Sequence, residues 1–203
     1  MRVSKRGLGA IVAALLACAA PPATAHDSAP ARWPTGATIP VWIESVQVPA
    51  EHLDMVRRAF RVWSDAADGA FRFVETSEFP ARGIRVRFVR SDQSFGETMP
   101  YLDDRTGRIV RADVVVTTER PGDQTYKMLV VYLTALHEVG HALGLPHTDD
   151  FGTIMYQFRR PTDPDRYFLA YRRLIDSTQD IGGEKATGLG PADRAALHRL
   201  YRP

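Results

Sequence analysis

Cysteine is nearly absent from this chain: Cys18 is the only one in 203 residues. A disulfide framework is therefore excluded, and with a cut after Ala25 the remaining chain would carry no thiol at all. Apolar runs are short as well. The run over 8–20 covers about 13 residues, against the roughly 20 that a membrane-spanning helix needs. Charge of one sign is also missing, since 26 basic residues face 24 acidic ones. No Lys/Arg run stands out beyond the N-terminus, so nucleic-acid binding has no electrostatic basis. From about Trp33 onward there are no internal repeats and no low-complexity tracts, which excludes solenoid and fibrous architectures.

What is present is an ordinary globular composition, 44% hydrophobic and 25% charged, enough for one domain or one domain with a small satellite. The first 25 positions stand apart. They hold Arg2, Lys5 and Arg6 and no acidic residue, then the apolar run, then Ala23-Thr24-Ala25. That layout predicts a secretory signal peptide over 1–25, cut after Ala25. Leu15-Leu16-Ala17-Cys18 also resembles a lipoprotein box, which makes lipid anchoring at Cys18 the alternative. Either way the chain is expected to leave the cytoplasm, in secreted or periplasmic form, with no transmembrane helix in the mature protein.

Hydrophobic periodicity sketches the rest. Residues 39–43 suggest a first strand. Leu53, Val56, Phe60, Trp63 and Ala67 recur at helical spacing over about 50–67, closed by Asp68-Gly69. Strands are expected at 71–74, at 83–90, where apolar residues alternate with arginine, and at 109–118. The polar stretch 91–107 reads as turn-rich, with a hairpin loop at 103–107. Helices are expected over about 125–142, over 165–175 with Tyr167, Tyr171 and Leu174 on one side, and from Pro191. Strands and helices mix without strict alternation, so the class is α+β.

The second helix ends in His137-Glu138-Val139-Gly140-His141-Ala142-Leu143-Gly144-Leu145-Pro146-His147. Histidines four apart project from one helical face and can share a metal. Glu138, beside the first, is placed to reach a metal-bound water and not the metal itself. Gly144 falls where the helix must stop and the chain turn, which favours a residue free to take positive φ. Pro146 prevents the helix from resuming, and the turn brings His147 back as a third nitrogen ligand. Three imidazoles leave a fourth position open, the arrangement of a catalytic zinc site. Met155 follows in Gly152-Thr153-Ile154-Met155-Tyr156.

Three histidines, a glutamate and a glycine at these spacings, with a methionine turn behind them, resemble the metzincin zinc metallopeptidases. The branch most similar is the matrixins (matrix metalloproteinase-like, M10 type). Ala59-Phe60-Arg61-Val62-Trp63-Ser64 with Phe71-Arg72-Phe73 resembles that family's first helix and following strand. Ala112-Asp113-Val114-Val115-Val116 resembles its cleft-lining strand, His147-Thr148-Asp149-Asp150 its third ligand, and 189–201 its final helix. The resemblance implies a zincin fold with a twisted mixed sheet, an active-site helix, a Met-turn and a C-terminal helix. It implies a peptidase domain over 26–203, divided into subdomains 26–146 and 147–203.

It further implies an exported metalloendopeptidase acting on protein or peptide substrates. On the same resemblance, one catalytic zinc is expected on His137, His141 and His147, with Glu138 as the general base and Met155 as a packing floor. Tyr156 directly follows the methionine, and Gln157 occupies the place where some metzincins carry a zinc-reaching tyrosine, so Tyr156 is not a ligand. No cysteine-bearing pro-segment is expected between the predicted cut and the first strand, and His26, His52 and His198 are too scattered for a second zinc. Calcium is a candidate at Asp92 or Asp103-Asp104, although Asp-rich turns are commonly only turns. The stretch 157–188, longer than expected, is placed beside the pocket for the residue after the scissile bond. Two other functions fit the zinc motif: a hydrolase of non-peptide amides or esters, and a secreted module that holds zinc without catalysis.

Overall fold

Alternation of apolar and polar residues decides the sheet. The structure, a computed structural model, describes residues 31–90 and 94–202. The predicted leader, Cys18, His26 and the Asp92 calcium candidate lie outside the described residues. Five strands, β1 (Ala37–Ile43), β2 (Phe71–Glu75), β3 (Gly83–Val89), β4 (Gly96–Leu102) and β5 (Ile109–Thr117), form one mixed sheet in the order β2-β1-β3-β5-β4. Neighbouring strands among β1, β2, β3 and β5 are parallel, and β4 is antiparallel to β5. Ile39, Val41, Ile84, Val86, Ala112, Val114 and Val116 turn to one face and are buried. The arginines between them, Arg72, Arg85, Arg87 and Arg111, take the other face, as the two-residue period requires. The α+β class and the mixed sheet agree with expectation.

Among the described residues there are four α-helices: α1 (Ala50–Ala67), α2 (Gln124–Ala142), α3 (Asp163–Arg172) and α4 (Pro191–Tyr201). α1 stops where expected, at Asp68 and Gly69, both with positive φ. α2 begins at Asp123, whose side chain accepts the Tyr126 N–H at 2.8 Å; such a cap is worth about 1 kcal/mol. α2 packs between α1 and the strands β4 and β5. The Trp63 indole on α1 donates to the Leu136 carbonyl of α2 at 2.8 Å.

Two expectations need correction. Residues 96–102, read from the sequence as part of a turn-rich stretch, are strand β4. As an edge strand it has one neighbour, and Pro100 is tolerated there. The inward side of β4 faces a cleft, so the strand carries no apolar alternation. α3 starts and ends earlier than 165–175, because Pro164 favours the first turn. Tyr167 and Tyr171 are packed inward, while Leu174 lies past the helix end and is 60% exposed.

Two ties join distant parts of the chain. Arg58 on α1 donates to the carbonyls of Thr178, Gln179 and Ile181 at 3.1, 2.9 and 2.8 Å, with Asp54 beside it at 2.9 Å. At the far end of α2, the Trp33 indole donates to the Ala142 carbonyl at 2.8 Å. The Tyr201 hydroxyl donates to the next carbonyl, Leu143, at 2.8 Å, and accepts the Trp33 N–H at 3.3 Å. Helix-end carbonyls lack partners within the helix, and these two aromatics supply them.

Candidate metal centre

α2 presents His137 and His141 from one face, one turn apart. Each imidazole is oriented through its Nδ1: His137 against the Ile154 carbonyl at 2.6 Å, His141 against the Leu145 carbonyl at 2.8 Å. A carbonyl only accepts, so both Nδ1 atoms carry the proton and both Nε2 atoms are left with a free lone pair. Gly144 takes φ +98°, and a Cβ there would lie 2.1 Å from the Ala31 carbonyl oxygen. The turn it permits returns His147, whose Nε2 sits 3.2 Å from that of His137 and 3.1 Å from that of His141.

His147 can donate a proton to one of these nitrogens at most, so the cluster without a cation leaves lone pairs facing one another. A cation between them satisfies all three. Tetrahedral zinc–nitrogen bonds of about 2.0–2.1 Å separate ligand nitrogens by about 3.3 Å, close to the spacing observed. The three residues could thus hold zinc, and among the described residues they are the only group of three or more His, Cys, Asp or Glu side chains that could hold a metal. Burial lowers the pKa of all three imidazoles, that of His137 to about 4. They stay neutral, as ligands must be.

Glu138 leaves α2 toward β4 and is 6% exposed. Its Oε2 accepts from the Thr98 hydroxyl at 2.7 Å. Burial pushes its carboxyl up to about 7, with the Thr98 bond opposing and Glu97 adding to the rise. Met155 is 2% exposed and lies under the helix. A Cβ at Gly140, between the two helical histidines, would meet its Sδ at 2.4 Å and Trp63 Cζ2 at 3.2 Å. The absence of a side chain at Gly140 is what lets methionine and helix meet. The Tyr156 hydroxyl donates to Asp163 at 2.9 Å, and that carboxylate also accepts the N–H groups of Arg159 and Arg160. Asp103 accepts from the N–H and hydroxyl of Thr106 at 3.0 and 2.9 Å, so its carboxylate closes the β4–β5 turn.

The histidines and Glu138 open onto a cavity of about 370 Å³. Phe95, Leu133, Phe158, Tyr167 and Phe168 line its apolar part. Thr98 and Gly96 are the site residues that sequence reading passes over. A signal for them existed, because a hairpin loop at 103–107 requires a strand on its near side.

The sequence model of the matrixin peptidases matches residues 42–172, well over half of the chain. The chain belongs to the matrixin family. Matrix metalloproteinase-18 of Xenopus laevis is 29% identical over 148 residues, covering 67% of this chain and 30% of that protein. Macrophage metalloelastase of Oryctolagus cuniculus is 29% identical over 157 residues, 73% of this chain and 31% of its own length. Interstitial collagenase of Equus caballus is 29% identical over 140 residues, covering 64% and 27%. This matrixin chain thus spans about a third of the length of the curated relatives it matches. Among its described residues no helix is long and apolar enough to cross a membrane.

Proposed function

We propose that this protein is an exported zinc-dependent endopeptidase. The observation that carries the reading is the convergence of three imidazole Nε2 atoms, within 4.8 Å of one another, in a cavity that also holds a buried carboxylate. In this reading His137, His141 and His147 bind one zinc ion and Glu138 is the general base. Bound zinc supplies a Lewis acid and brings the pKa of a coordinated water to about 7. Glu138 takes the proton of the attacking water at a carboxylate oxygen, then returns it to the leaving amine nitrogen. Met155 supports α2 from below and binds nothing. Export follows from the leader at 1–25, and the peptidase domain runs over 26–203, with subdomains 26–146 and 147–203.

Among the described residues, no strand lies beside the outer edge of β4 in the sheet. An extended peptide can pair with such an edge while one side chain enters the cavity. That favours a polypeptide substrate over a small amide or ester. The segment 157–188, through Phe158, Tyr167 and Phe168, supplies one wall of the cavity and so bears on which side chain is accepted.

The test pairs zinc content with cleavage of casein or a mixed peptide library. Glu138→Ala is expected to keep about one zinc and lose on the order of 10²–10⁴-fold in turnover. His141→Ala is expected to lose both metal and activity. Turnover by Glu138→Ala at the parental rate would remove the base assignment, and a parent protein without zinc would remove the whole reading.

A further inference from the structure

Glu138 can act as a base only if its carboxylate is held where the attacking water will stand. A glutamate has three side-chain torsions, and ordering them costs conformational entropy. Two features of β4 restrict it. The Thr98 hydroxyl lies 2.7 Å from Glu138 Oε2 and 2.9 Å from the Glu138 main-chain carbonyl. The hydroxyl has one proton, so it donates to one of these two oxygens at a time while staying within reach of both. A hydroxyl donates and accepts, so the bridge keeps a bond to the carboxyl whichever oxygen bears the proton.

Two residues earlier on the same face of β4 is Gly96. A Cβ at this position would lie 2.7 Å from Glu138 Oε1, 2.7 Å from Glu138 Cγ and 2.8 Å from Thr134 Cγ2. These contacts fall below the closest distance real Cβ atoms show, so any side chain at 96 would compete with the carboxylate for its place. One carboxylate oxygen is tied by a hydroxyl, and the other rests against bare backbone. The strand carrying both is itself fixed, with Gly96 opposite Val116 and Thr98 opposite Val114 on β5.

We infer that Thr98 and Gly96 are positioning residues that form a cradle on β4 for the Glu138 carboxylate. The inference rests on the reading of Glu138 as the general base. It also accounts for threonine and glycine at these two places in an edge strand whose Met99 and Leu102 are exposed.

The deciding experiment measures kcat and KM on a fluorogenic peptide, zinc content, and thermal midpoint for Thr98→Val, Thr98→Ser and Glu138→Ala in the full chain. Thr98→Val keeps the shape of the side chain and removes the hydroxyl. It is expected to lower kcat by about 10- to 100-fold, the range for loss of a hydrogen bond to a charged group. KM is expected to stay within about twofold and zinc at one per chain. Thr98→Ser should regain most of that loss. In the metal-free protein, Thr98→Val should lower the thermal midpoint less when Glu138→Ala is already in place, because the hydroxyl has then lost its carboxylate partner.

Parental kcat in Thr98→Val, or Thr98→Ser as impaired as Thr98→Val, would overturn the cradle. So would equal midpoint losses in the two backgrounds. If Glu138→Ala itself retained full turnover, the base reading would fail first; an inactive Glu138→Ala with a fully active Thr98→Val defeats the cradle alone.

Discussion

At the scale of single residues, the site places neutral imidazoles and a buried, reluctant carboxylate around one cavity. Their protonation pulls stability in opposite directions. The metal-free folded protein holds the Glu138 proton up to about pH 7, against an ordinary value of 4.5. The unfolded chain releases it earlier, so the folded state loses stability as pH rises from 4.5 through 7. Glu138→Gln is therefore expected to stabilise metal-free protein at pH 8, by on the order of 2–3 kcal/mol, and to change little at pH 4. Thermal melts at the two pH values check this. The histidines act the other way. The His137 pKa is lowered to about 4 from 6.5, so its contribution is complete above 6.5 and lost as pH falls toward 4. Metal-free stability should accordingly peak between about pH 5 and 7.

Elements show where local sequence reasoning succeeds. The histidine pair is legible because a helix fixes the geometry of residues four apart, and Gly144 because a turn needs its φ. Both are consequences of a few adjacent residues. β4 is hidden because its inward residues face a cleft instead of the core, so neither alternation nor β-propensity marks it. Thr98 and Gly96 acquire meaning only when β5 carries the strand up to α2, about 40 residues further along the chain. α3 was legible as a helix, but its register was not, since the burial of Phe168 depends on the ring cluster with Phe95 and Phe158. The aromatic caps on α2 are likewise invisible in sequence, with Trp33 and Tyr201 separated by 168 positions. Tyr201→Phe leaves the Leu143 carbonyl without that donor and the Trp33 N–H without that acceptor. A loss of about 1–3 kcal/mol in denaturant unfolding is expected, with zinc binding retained.

Across the whole molecule, segments far apart in sequence converge on α1 and α2. Arg58 gathers three carbonyls from the loop before α4 with a side chain only 18% exposed. Arg58→Met keeps the apolar stem but strands those acceptors. It is expected to lower the thermal midpoint by roughly 5–10 °C and to open the chain to proteolysis near 178–181, which mass spectrometry of the fragments would locate. An unchanged digestion pattern would show that the loop is held by other contacts.

A guanidinium is a cation bound by covalent bonds to its own chain, and no chelating agent can withdraw it. The positive charge that organises this loop is therefore not exchangeable, whereas a zinc ion on the histidines would be. Dialysis against a chelator should leave the melting transition cooperative and the loop protected while abolishing peptide cleavage. Returning zinc should then restore cleavage without a refolding step, so that metal supply acts on catalysis alone and the scaffold outlasts its absence.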